Sequence, residues 1–194
     1  MAVGPAMYST TNMEGIDINA VFILNTVGTP EIPRPPFAPG QLAWGTDGSE
    51  WVFCTASITI AAGSIVVVSA VPASWSVALV GGATIAVGAP FGQLVGVVGG
   101  SLGSMVVPAP AAPQTATFFW IQVAGNCPNI RTVAATAANA LLFDSVTTAG
   151  VATSTAGGPG SSYQITGMII TQATGSAAGP NSGILNNPTI GTSA

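Results

Sequence analysis

Thr115-Ala-Thr-Phe-Phe-Trp-Ile-Gln-Val123 decides how the rest of this chain is read. Seven of its nine residues are aromatic or β-branched, the types that pack well on a pleated, half-buried surface. Gly125 and Pro128 follow and predict the strand's end. Upstream, Trp51-Val-Phe-Cys-Thr-Ala-Ser-Ile-Thr-Ile60 has the same character, and Trp44-Gly-Thr-Asp-Gly-Ser-Glu50 precedes it as a turn. The Asp47-Gly48 pair supplies the positive φ that a tight hairpin demands. Ala61-Ala-Gly-Ser64 then predicts a turn into Ile65-Val-Val-Val-Ser69, which runs back as a strand.

Further strands are expected at 79–80, 83–87, 93–98 and 163–171, punctuated by glycine and proline. Residues 131–142 are alanine-rich, but Thr132, Val133 and Thr136 and the lack of an apolar stripe argue against a helix. Short strands at this spacing predict a mainly β fold, an antiparallel β-sandwich or small β-barrel. That β-domain covers residues 41–194 and is expected to end in a loose C-terminal tail.

Residues 1–40 read differently. Five prolines fall within Thr29-Pro-Glu-Ile-Pro-Arg-Pro-Pro-Phe-Ala-Pro-Gly40, so this stretch should be stiff and polyproline-like. It is either an exposed linker or an extended arm laid over a neighbouring subunit. Ile32, Phe37 and the apolar 16–24 segment favour the arm, for which a free linker has little use. Candidate contacts with a neighbouring protein subunit are Phe22, Leu24, Ile32, Arg34 and Phe37.

Composition narrows function. Of 194 residues, 31 are Ala, 25 Gly, 21 Thr and 16 Ser, and only six acids and two arginines are charged. The absence of His excludes a Ser-His-Asp triad, a Cys-His pair and His acid–base chemistry. The absence of Lys excludes Schiff-base chemistry and a phosphate-loop lysine. A net charge of −4 with only Arg34 and Arg131 cannot neutralise a run of phosphates, so no nucleic-acid partner is expected. With 48% apolar residues the chain is no disordered segment, and its charge-poor surface should end against other proteins.

Residues 85–107 are long and apolar enough to suggest a membrane span. Six glycines, Pro90 and the lack of flanking Lys or Arg speak for buried strands instead. No membrane partner is expected, and Met1-Ala-Val-Gly-Pro5 lacks the basic start of a signal peptide.

No catalytic, cofactor-binding or metal-binding residue is nominated, and no cofactor is expected. Asp47 and Glu50 are too few oxygens for a calcium loop. Glu14 and Asp17 have no basic or nucleophilic neighbour in sequence. The Gly-Gly pairs lack the strand-to-helix setting of a phosphate loop. Cys54 and Cys127 are expected as two reduced, buried thiols, with a disulfide as the other reading. Alternation around Trp51 and Trp120 predicts core or interface packing. A competing function is a fibre or adhesin module that stacks glycan rings on Trp44, Trp75 and Trp120.

Three segments, in order, carry a family resemblance: Leu42-Ala-Trp-Gly-Thr-Asp-Gly-Ser-Glu-Trp-Val-Phe-Cys-Thr-Ala-Ser-Ile-Thr-Ile-Ala-Ala-Gly-Ser-Ile-Val-Val-Val68, Phe118-Phe-Trp-Ile-Gln-Val-Ala-Gly125, and Ala138-Asn-Ala-Leu141 leading to Thr148-Ala-Gly150. Ile165-Thr-Gly-Met-Ile169 matches a later strand, while Phe119 stands where the pattern has glycine. The chain resembles the head-decoration (cement) proteins of tailed bacteriophages over residues 40–190. The resemblance implies a non-enzymatic virion protein on the outer capsid surface. It would bind the major capsid protein and itself, as a homo-oligomer such as a trimer, and stabilise contacts between capsid subunits.

Overall fold

The computed structural model describes residues 7–9, 17–23, 37–68, 75–81, 93–99, 107–110, 116–157 and 162–193. Among them there is no helix. The strands are β1 (Met7–Ser9), β2 (Phe22–Ile23), β3 (Leu42–Gly45), β4 (Glu50–Ala56), β5 (Ile65–Val68) and β6 (Val77–Leu79). They continue as β7 (Val95–Val98), β8 (Thr117–Thr132), β9 (Leu142–Asp144), β10 (Ala152–Thr153), β11 (Tyr163–Ile170) and β12 (Gly179–Ser193). The fold is mainly β.

β8 is the spine. Its first half pairs antiparallel with β4, from Ala56↔Thr117 to Glu50↔Ala124, and also touches β2 and β7. Its second half pairs with β12, from Asn186↔Ala124 to Gly179↔Thr132. Two circuits of pairing share it. One runs β8–β10–β9–β11–β12 and back to β8, with β8–β10 parallel. The other runs β4–β8–β7–β5–β6 and returns to β4 through the parallel Thr55↔Ser76 bridge. Each circuit curls a short sheet around its own apolar filling, the small-barrel solution to unpaired edges.

Three cores result. The first circuit holds Cys127, Ile130, Leu142, Ile165, Met168, Ile170, Leu185 and Ile190. The second holds Val52, Cys54, Ala56, Ile121, Val123 and Phe119. Strands β5 and β7 stand between them: Ile65, Val67, Val95 and Val97 face the first core, while Val66, Val68 and Val98 face the second. Burial on both faces is why Ile65-Val-Val-Val68 shows no polar alternation. The third core is aromatic. Trp51 and Phe53 of β4 and Phe118 and Trp120 of β8 project from the opposite sheet face to meet Ile18 and Phe37.

Several expectations need correction. The strand beginning at residue 117 does not end at Gly125 or Pro128 but continues to Thr132. Val123 is an extra residue between the pairs Trp51↔Gln122 and Glu50↔Ala124, and Gly125 follows with φ +91°. Pro128 and Asn129 together stand opposite Ser182, between the pairs Gly183↔Cys127 and Asn181↔Ile130. A bulge leaves a ladder position unpaired, so a proline without an N–H is tolerated there.

The C-terminal segment is not a loose tail. β12 lies between β11 and β8, and Leu185 and Ile190 are core residues. β5 does run back, but onto β6 and β7 rather than onto β4. Of the apolar stretch 85–107, residues 95–98 form a strand, and among the described residues no helix is long and apolar enough to cross a membrane. The expected strand at 83–87 lies outside the described residues.

Candidate functional site

Five residues are expected from the sequence to contact a capsid or a neighbouring subunit. The structure gives two of them partners within the chain. Phe22 pairs opposite Phe118 through β2. Its ring meets Phe37 at 6.4 Å and Phe53 at 6.0 Å, both edge-on. Phe37 is 9% exposed and packs edge-on against Phe53 at 5.5 Å and Trp120 at 5.0 Å. Edge-to-face geometry places the positive ring edge on a neighbour's negative face. Both rings therefore complete the aromatic core of the β-domain, a place the arm reading did not foresee. Leu24, Ile32 and Arg34 lie outside the described residues.

The predicted hairpin turn is present. Asp47 Oδ1 accepts hydrogen bonds from Ser49 N at 3.0 Å and Ser49 Oγ at 2.7 Å. Trp51 Nε1 donates to the same Ser49 Oγ at 2.9 Å. The carboxylate thus shapes the turn that aims Trp51 inward. With Gln122, Asn126 and Asn129 this turn borders a hollow of about 180 Å³.

Cys54 and Cys127 are free and buried, in different cores. Burial pushes the Cys54 thiol far above its ordinary value. Cys127 is pushed up to about 11 by burial, partly offset by a backbone hydrogen bond from Asn129. Neither supplies thiolate at neutral pH, so neither is a nucleophile.

The tryptophans do not form one platform. Trp120 is fully buried, Trp44 is 38% exposed, and the Trp75 indole lies against Gly40. A sugar cannot stack on all three at once. Trp120 Nε1 is buried and has no hydrogen-bond partner among the described residues.

Two features were not foreseen. Ile169 of β11 and Ile184 of β12 are direct cross-strand partners, yet they are 47% and 49% exposed. They form an apolar pair on the outer face of two strands without a single charged residue. The signal was present: inward Ile165, Met168 and Ile170 leave Ile169 to point outward. The second feature is Asp144, at the end of β9, which is 2% exposed. Tyr163 N donates to its Oδ1, and burial raises its pKa against the pull of that bond. It borders a hollow of about 320 Å³ with Ser145, Thr147, Thr153 and Thr155. No motif in the sequence marks it.

No family model, no curated protein and no solved structure matches this chain.

Proposed function

We propose that the chain is a structural virion protein. In this reading it binds the outer surface of a phage capsid as a homo-oligomer and stabilises contacts between major capsid protein subunits. The observation that carries the proposal is the uncharged outer face of β11 and β12, with its exposed Ile169–Ile184 pair. From residue 145 to residue 194 the chain has no charged side chain at all. Such a surface lacks the charge that keeps soluble monomers apart, and it suits burial against another protein. Small Gly, Ser and Thr residues in these strands let a partner's backbone approach closely. The burial of Trp120 supports this reading over the glycan-binding module, which needs that indole exposed.

Sedimentation of purified particles tests the proposal. The chain should co-migrate with capsids at a fixed ratio to the major capsid protein. The double variant I169S/I184S, altered only at exposed side chains, should stay folded and lose most of that binding. Absence of the chain from every particle preparation would refute it.

A further inference from the structure

Asp144 poses a charge problem. A carboxylate removed from water is costly unless a cation or several hydrogen bonds compensate it. Tyr163 N and the backbone N–H of Asp144 itself supply hydrogen bonds, but among the described residues no cation stands beside Asp144. The chain has little to offer: it contains no lysine, no histidine and two arginines. Arg131, the described one, is on β8 opposite Pro180 and forms no ion pair with it.

The surroundings of Asp144 are those of a receptor for donors. Ser145, Thr147, Thr153 and Thr155, four hydroxyl-bearing residues, line the same hollow beside Val133, Val146 and Ala156. Ser145 Oγ lies 3.3 Å from Thr147 Oγ1 and accepts from Thr148 N at 3.2 Å, and Thr153 Oγ1 accepts from Thr155 N at 3.1 Å. Those turn bonds fix the Ser145 and Thr153 oxygens in place. A hydroxyl has two lone pairs and a carboxylate about four, so acceptor capacity remains after these bonds are made. Thr147 and Thr155 are exposed, so the hollow opens to the surface.

We propose that the hollow bordered by Asp144, Ser145, Thr147, Thr153 and Thr155 receives the guanidinium group of an arginine on a partner protein. A guanidinium presents five N–H donors in a flat fork and is more weakly hydrated than an ammonium. It therefore suits a buried carboxylate at the wall of a hollow lined in part by hydroxyl-bearing residues. A small hard metal ion would ask for more anionic oxygens than this single carboxylate. The inference does not depend on the partner being a capsid.

The test is amide NMR on the full chain, titrated with acetyl-Ala-Arg-Ala-amide, its citrulline counterpart, agmatine and calcium chloride. The arginine peptide should shift the Tyr163 and Thr147 amides saturably, and the neutral citrulline peptide should not. Asp144→Asn keeps an acceptor for Tyr163 N but removes the charge, and should weaken binding roughly tenfold or more. Should that variant not fold, Thr155→Trp blocks the hollow from an exposed position and should abolish the shifts with the carboxylate intact. Equal response to citrulline, or a response unchanged in both variants, would overturn the proposal. Saturation by calcium alone would make the hollow a metal site, and by agmatine alone a small-molecule site. Either result overturns the arginine assignment.

Discussion

Single atoms carry two of the sharper consequences of this fold. Trp120 fills the aromatic core, but among the described residues its Nε1 has no partner. An unsatisfied buried donor costs about 1–3 kcal/mol, and its removal offsets part of the volume lost in a smaller ring. Trp120→Phe should therefore cost far less than Trp120→Ala, for which about 3–5 kcal/mol is expected. Urea unfolding of both variants checks this. Asp144 is the other case. Burial raises its pKa above 3.8 and the Tyr163 N–H pulls it partly back. The folded chain thus binds that proton more tightly than the unfolded chain does. Its contribution is fully present below the unfolded pKa and is lost as pH rises through the raised folded value. Asp144→Asn should remove this loss, so the variant gains stability relative to the parent from about pH 4 upward. Urea midpoints measured across pH would show that gap widening.

At the scale of elements, β8 bends without breaking, and two glycines show why position matters more than residue type. Gly48 and Gly125 both have positive φ, +80° and +91°. A Cβ on Gly48 would meet nothing within 4 Å, while one on Gly125 would stand 2.7 Å from the Ser49 backbone. Gly48→Ala should cost only the left-handed strain, about 1–2 kcal/mol. Gly125→Ala adds a backbone clash that no rotamer relieves, and it should lower the melting temperature clearly further. β12 carries the matching lesson about legibility. Asn-Asn-Pro-Thr suggests a loop, yet buried positions recur at 181, 183 and 185, then at 188 and 190. The alternation slips by one residue at Asn187, whose φ is +45°. A bulge thus breaks the period that sequence reading depends on.

For the whole molecule, the shared spine and its three cores change what residues 1–40 are expected to do. Ile18, Phe22 and Phe37 cover Phe53 and Trp120 from one side. Phe37→Ala should cost about 3–5 kcal/mol, as for other buried aromatic rings. Deletion of residues 1–40 should expose the aromatic core, lower the melting temperature and raise binding of a hydrophobic dye. An unchanged melting temperature after that deletion would return these residues to the role of a separable arm. Capsid-binding experiments on the truncated chain would otherwise measure unfolding rather than contact.

Composition and local pattern by themselves determined the mainly β class, the Asp47-Gly48 hairpin, the absence of histidine and lysine chemistry, and the burial of Trp51 and Trp120. These depend on residue type and short-range periodicity, which a strand imposes wherever it lies. Tertiary structure alone decided that Phe22 and Phe37 face inward, that β12 is an interior strand, and that among the described residues no cation stands beside Asp144. Each depends on which distant segment arrives alongside: Phe53 and Trp120 for the rings, β8 and β11 for β12, the Tyr163 amide for the carboxylate. Such partners are set by the closure of two sheet circuits over long chain separations, and no local period records them.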